Sequence, residues 1–100
     1  MSPKLEMLIG LLKEAIENPK NRSERIKRFQ QLVWDTREDE IAPDEQQIWD
    51  ILNDLAVDLD YYEPNEEWRR ESPSFFGDEE VCQRILAAIA KVESADNESG

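Results

Sequence analysis

The stretch Gln46-Gln47-Ile48-Trp49-Asp50-Ile51-Leu52-Asn53-Asp54-Leu55-Ala56-Val57-Asp58-Leu59 decides the fold. Ile48, Ile51, Leu52, Leu55, Ala56 and Leu59 recur at steps of three and four, the period of one apolar helix face. Asp50, Asp54 and Asp58 recur at steps of four on the back of the same helix, so the three carboxylates line an exposed face. Like charges at that spacing repel by about 0.2–0.5 kcal/mol per pair. Pro43, followed by Asp44 and Glu45, marks the start of this helix, because acidic residues suit a helix N-terminus.

Upstream, two more helical segments are predicted. Ser2 followed by Pro3 is a start signal, and Leu5, Leu8, Ile9, Leu12, Ala15 and Ile16 form an apolar face behind it. Asn18-Pro19 ends that helix, since the residue before proline is driven out of helical geometry. Ser23 is the expected cap of a second helix, with Ile26, Phe29 and Val33 on one face, Leu32 at its edge and Trp34 nearby. Thr36 to Ile41 is charged and lacks apolar periodicity, which predicts a loop or frayed end.

Downstream, Glu63 to Phe76 is irregular, with Pro64 and Pro73, yet rich in aromatic residues. That composition predicts a packed loop with a short helical turn around Asn65 to Arg70, in which Trp68 pins the loop onto the protein. Gly77-Asp78 opens a last helix with buried Val81, Ile85, Ala88, Ile89 and Val92. Residues 94–100 are expected to form a disordered polar tail behind a single domain of residues 1–93. No window alternates apolar and polar residues like a strand. The fold expected is all-α: a compact antiparallel four-helix bundle with an aromatic and acidic loop before the last helix.

From Glu38 through Trp68 the chain has no lysine or arginine and twelve carboxylates, half of its twenty-four acidic residues. With a net charge of −12, direct binding to nucleic acid and to anionic membranes is disfavoured, because phosphates need clustered cations. A dense field of one sign attracts cationic surfaces and speeds encounter with them. The basic cluster Lys20, Arg22, Arg25, Lys27 and Arg28 is expected to pair internally with acidic groups.

Several chemistries lack their residues. There is no histidine, so the commonest general base and zinc ligand is missing. One cysteine, Cys82, allows no internal disulfide and no cysteine-rich metal site, and without histidine no Cys-His nucleophile. Asp58-Leu59-Asp60 opens like a calcium loop, but no glycine follows at the required place. With Gly10, Gly77 and Gly100 as the only glycines, no phosphate-cradling loop can be built. No enzyme, cofactor or metal is expected. The N-terminus has no signal-peptide pattern and no span of membrane length, so a cytoplasmic protein is expected.

The candidate binding surface is the junction of the third helix with the following loop. Asp50, Asp54, Asp58, Asp60, Glu63, Glu66 and Glu67 alternate there with Tyr61 and Tyr62. Carboxylates make charge-assisted hydrogen bonds to arginine and lysine, and tyrosine supplies stiff contact area. Of the two tyrosines, one is expected to pack and the other to stay free. Trp49 and Val57 flank the buried stripe and would support a weak homodimer if uncovered; otherwise a monomer is expected.

At these residues, Asp58-Leu59-Asp60-Tyr61-Tyr62-Glu63-Pro64 followed by an acidic loop and the helix from Asp78-Glu79-Glu80-Val81 to Lys91-Val92, the chain resembles the colicin D immunity-protein family. The resemblance implies a small acidic helical protein that occupies the basic active-site cleft of a toxin nuclease cleaving transfer RNA. Asp54, Asp58, Asp60, Glu63, Glu66 and Glu67 would then stand in for RNA phosphates. The aromatic loop Ser72 to Phe76 is longer than that pattern. The alternative is a helical adaptor or regulatory protein that binds a partner through its acidic and aromatic surface.

Overall fold

Ser2 starts the first helix as its sequence predicts: its hydroxyl accepts the Leu5 N–H at 3.4 Å, satisfying one of the free donors of a helix start. The computed structural model describes residues 1–99. Helix α1 (Pro3–Glu17) buries Leu5, Leu8, Leu12 and Ala15 completely, with Ile9 and Ile16 half-buried beside them. It stops at Asn18, and Pro19–Asn21 forms one 3-10 turn that runs straight into α2 (Arg22–Asp35). Because that entry is continuous, Ser23 lies inside α2 and does not cap it, contrary to the sequence expectation. Ile26, Phe29 and Val33 are buried as expected.

The charged link after α2 is ordered by short-range bonds. Thr36 Oγ1 donates to the Leu32 carbonyl (2.7 Å), the Arg37 N–H donates to Glu40 Oε2 (2.9 Å), and Glu38–Glu40 forms a 3-10 turn. Ile41 then drops into the core. A further turn, Pro43–Glu45, leads into α3 (Gln46–Asp58), and Glu45 Oε2 accepts the Ser2 N–H at 2.8 Å. Helix α3 buries Ile48, Leu52, Leu55 and Ala56, and Trp49 as well, which is 5% exposed.

After the 3-10 turn Leu59–Tyr61 comes α4 (Glu66–Arg69), a single turn whose start is capped by Asn65 Oδ1, accepting the Glu67 and Trp68 N–H groups. The surrounding loop is closed by one backbone pairing of Tyr62 with Phe76. The Glu63 N–H donates to the Phe76 carbonyl (2.9 Å) and the Phe76 N–H to the Tyr61 carbonyl (3.0 Å). Phe76 is buried, but Trp68 is 58% exposed and does not pin the loop. Arg69 holds it instead: Nη1 donates to the Glu63 carbonyl at 2.9 Å and lies across Gly77, where an added Cβ would come within 2.6 Å of it.

Helix α5 (Asp78–Ser99) is the longest, and at 1.5 Å per residue it runs for about 33 Å. It sets the long axis of a molecule measuring 44 × 23 × 23 Å. Val81, Ile85, Ala88, Ile89 and Val92 are buried, and Ala95 extends the stripe. The helix therefore runs through residues 94–99, where the sequence suggested a disordered tail; Gly100 lies outside the described residues. The protein is all-helical and compact, with one hydrophobic core and no strand among the described residues. Among those residues no helix is long and apolar enough to cross a membrane.

Candidate binding surface

A step of four residues turns an α-helix by about 400°, so a stripe built on that step drifts by about 40° each time. Asp50, Asp54 and Asp58 are all exposed, and their row slants across α3 for this reason. Asp50 lines a cleft of about 280 Å³ between α2 and α3, beside Trp34, Trp49 and Asn53. Asp54 and Asp58 line a groove of about 220 Å³ toward α5, facing Arg84 and Lys91 over Ile51, Leu55 and Ala88.

The aspartates differ in how far the chain neutralises them. Asp58 lies 3.7 Å from Arg84 Nη1, and Asp50 accepts a hydrogen bond from the Gln46 amide at 3.1 Å. The carboxylates of Asp54, Asp60 and Glu67 form no hydrogen bond or ion pair among the described residues. Among the described residues the Glu66 carboxylate has only Arg69, at 4.0 Å. Glu63 is half-buried and accepts the Asn65 N–H at 3.0 Å, so its carboxylate holds the loop as well as adding charge.

The two tyrosines divide as expected. Tyr61 is 47% exposed. Tyr62 is half-buried and donates its hydroxyl to Asp78 Oδ1 at 2.5 Å. Burial, then that hydrogen bond, push the Tyr62 phenol up to about 12. The Tyr62 bond in turn holds the Asp78 carboxyl below its ordinary range, with help from Arg22.

Arg22 is buried and links three elements. Its Nε donates to the Ala15 carbonyl (2.8 Å), Nη2 to the Ile16 carbonyl (3.2 Å) and Nη1 to Asp78 Oδ1 (2.9 Å). Arg25 lies 2.9 Å from Glu14 and 3.6 Å from Glu24. Two members of the basic cluster thus pair internally, and neither reaches the aspartates of α3. Lys20, Lys27 and Arg28 form no ion pair among the described residues.

Of the apolar part of this surface, the sequence points to Val57 but not to Trp34. Val57 is 55% exposed, one turn from Asp54 and one turn from Tyr61 on the outward side of α3. Trp34 is 53% exposed and stands over the α2–α3 cleft. The signal was present: Trp34 follows the buried Val33, so it is turned about 100° from the core face. Of the dimerisation candidates, Trp49 is covered and Val57 is not. Among the described residues no three acidic or cysteine side chains converge to hold a metal ion. No protein-family model, curated protein or solved structure matches the chain.

Proposed function

We propose that this chain is a non-catalytic inhibitor that plugs the basic active-site cleft of a bacterial toxin nuclease, one that cleaves transfer RNA. It would act in the cytoplasm as an immunity protein of the kind that Asp58 to Pro64 resembles. The observation that carries the reading is the exposed acidic surface running from Asp50 and Asp54 on α3 through Asp60 to Glu66 and Glu67 on α4. Most of it lacks an internal cation, and the apolar Val57 and Tyr61 are set within it. A nuclease cleft is lined with lysine and arginine to hold phosphates, and unpaired carboxylates compete for the same groups. Charge of this density steers association to about 10⁸–10⁹ per molar per second at low salt, a useful speed against a lethal free enzyme.

We also infer that α1, α2, α3 and α5 form an antiparallel four-helix bundle, which gives the surface a rigid base. The three-residue turn between α1 and α2 supports this, because short links join antiparallel neighbours. So does the Gln30 side chain of α2, which donates to the Ala56 carbonyl of α3 at 2.9 Å. The working unit is a monomer or a weak homodimer.

The test is inhibition and binding of a purified transfer-RNA-cleaving toxin domain as salt is raised from about 50 mM to about 500 mM. Tight inhibition that weakens steeply with salt is the expected result. Failure to bind any such domain overturns the proposal. A partner held without salt dependence favours the helical adaptor, and Trp34 and Val57 would be its contacts.

A further inference from the structure

Resting on that reading, we infer that the docking face continues over the seam between α2 and α3, and that the partner fills this seam with arginine side chains stacked on Trp34 and Trp68. The two indoles are more than half exposed, and each lines a cleft bounded by α2 on one side and by α3 or the segment following it on the other. Trp34 stands at one end, in the cleft with Asp50 and Glu38. Trp68 stands at the other, in a cleft of about 300 Å³ with Asp60, Glu63 and Lys27. Lys27 and Trp34 are seven residues apart on α2, so the two ends lie about 10 Å from each other along the helix.

Each end brings an exposed indole and carboxylates into the lining of one cleft. A guanidinium is flat and weakly hydrated, and its forked donors can reach a carboxylate while its plane lies on a ring. An ammonium can satisfy the charge but not the plane. The molecule already contains one such arrangement: the Arg84 guanidinium sits 4.3 Å from the Phe76 ring centre and pairs with Glu80 at 2.9 Å and Asp58 at 3.7 Å. The Trp34 cleft presents the same combination with no cation of the chain in its lining, and in the Trp68 cleft Lys27 pairs with no carboxylate among the described residues, leaving Asp60 to a guanidinium from another molecule. A second copy of this chain fits poorly, because a twofold contact through this seam would bring two copies of the same acidic face together on a protein of charge −12.

The experiment titrates the full chain with polyarginine and polylysine peptides of equal length near physiological ionic strength, read by tryptophan fluorescence and calorimetry. Polyarginine is expected to bind about tenfold more tightly and to change the indole emission. The variant Trp34→Leu/Trp68→Leu keeps apolar area but removes the aromatic faces, and it is expected to bind both peptides equally. Both sites are exposed, so the variant should retain its circular dichroism; the single variants serve if it does not. Equal affinities for the native chain, or an undiminished arginine preference in the variant, overturn the inference. So does a concentration-dependent dimer in sedimentation that the leucine variant abolishes, which would give the seam to a second copy. The peptides contain no nuclease, so a failed toxin assay with a persistent arginine preference sinks the inhibitor reading alone. Salt-sensitive toxin binding without that preference sinks this inference alone.

Discussion

Arg22 shows how one side chain joins parts of the chain that sequence distance keeps apart. A helix C-terminus leaves carbonyls without partners, and the α1 end has its Ala15 and Ile16 carbonyls taken by the Arg22 guanidinium, which also meets Asp78 at the start of α5. Arg22→Met would leave those acceptors unmatched and should lower stability by about 2–3 kcal/mol, read from urea unfolding. An unchanged midpoint would mean that water replaces the guanidinium without loss. The Tyr62 hydroxyl completes the cluster and makes stability depend on pH on both flanks. Asp78 is held below its ordinary value of 3.8, so its contribution is present above that pH and is lost as pH falls through the lower folded value. Tyr62 is raised from 10.0 to about 12, so the neutral phenol favours the fold, fully below pH 10 and less and less as pH climbs toward 12. Tyr62→Phe should cost about 0.5–1 kcal/mol at neutral pH. It should also flatten the alkaline decline and shrink the acid one, because Asp78 loses the largest cause of its lowered value, in unfolding midpoints measured across pH. A variant whose pH profile overlays that of the parent would show that other groups set both limits.

At the scale of elements, the apolar period governs what the helices do, and packing governs the rest. Leu55 sits in the middle of the α3 stripe and is buried against α5, so Leu55→Ala should destabilise by about 2–5 kcal/mol in chemical unfolding. A neutral result would mean that the α3 core face is misplaced. Gly10 is the opposite case: it lies inside α1 with open space where a Cβ would point. Gly10→Ala should therefore raise stability by about 0.5–1 kcal/mol through helix propensity alone, visible as a higher melting temperature. Loss of stability there would reveal a contact that the open space hides. Four helices were legible because their leucine, isoleucine and valine residues repeat at three and four. The last helix outruns its sequence signal, because its large apolar residues stop at Val92. Ala95 continues the same step, but alanine is too small to mark a core face in sequence. The start of α2 is not legible locally, because a capping serine is a local cue, whereas Arg22 is drawn in by carbonyls that only the Pro19–Asn21 turn brings near. The loop was assigned to the wrong anchor for a similar reason. A tryptophan reads as a buried residue, and nothing local says that Arg69 will lie across Gly77 and leave Trp68 outside.

For the whole molecule, the placement of charge is more telling than its total. The run from Glu38 to Trp68 supplies no cation of its own, and the salt bridges reaching into it from outside come from Lys4, Arg37, Arg69 and Arg84. These meet Glu40, Asp39, Glu66 and Asp58, so the fold softens the edges of the acidic surface and leaves Asp54 and Asp60 bare. A surface kept only for solubility has no need to gather unpaired carboxylates on one helix, where each close pair is mildly unfavourable. Changing Asp54, Asp58 and Asp60 together to Asn takes the net charge from −12 to −9, since three negative charges are removed. It relieves the repulsion of Asp54 with both Asp50 and Asp58, about 0.2–0.5 kcal/mol per pair, and removes the exposed Asp58–Arg84 pair, worth about 0–1 kcal/mol. The two effects oppose each other, so the unfolding midpoint of the isolated chain should barely move. Binding of a basic partner should nevertheless slow, weaken and lose much of its salt dependence, because the steering field and the direct carboxylate contacts both diminish. Stopped-flow association rates at two salt concentrations, set beside urea unfolding of the same variant, separate the two roles. Fast, salt-sensitive association that survives the triple change would leave the acidic stripe as a solubility feature and move any docking site elsewhere on the molecule.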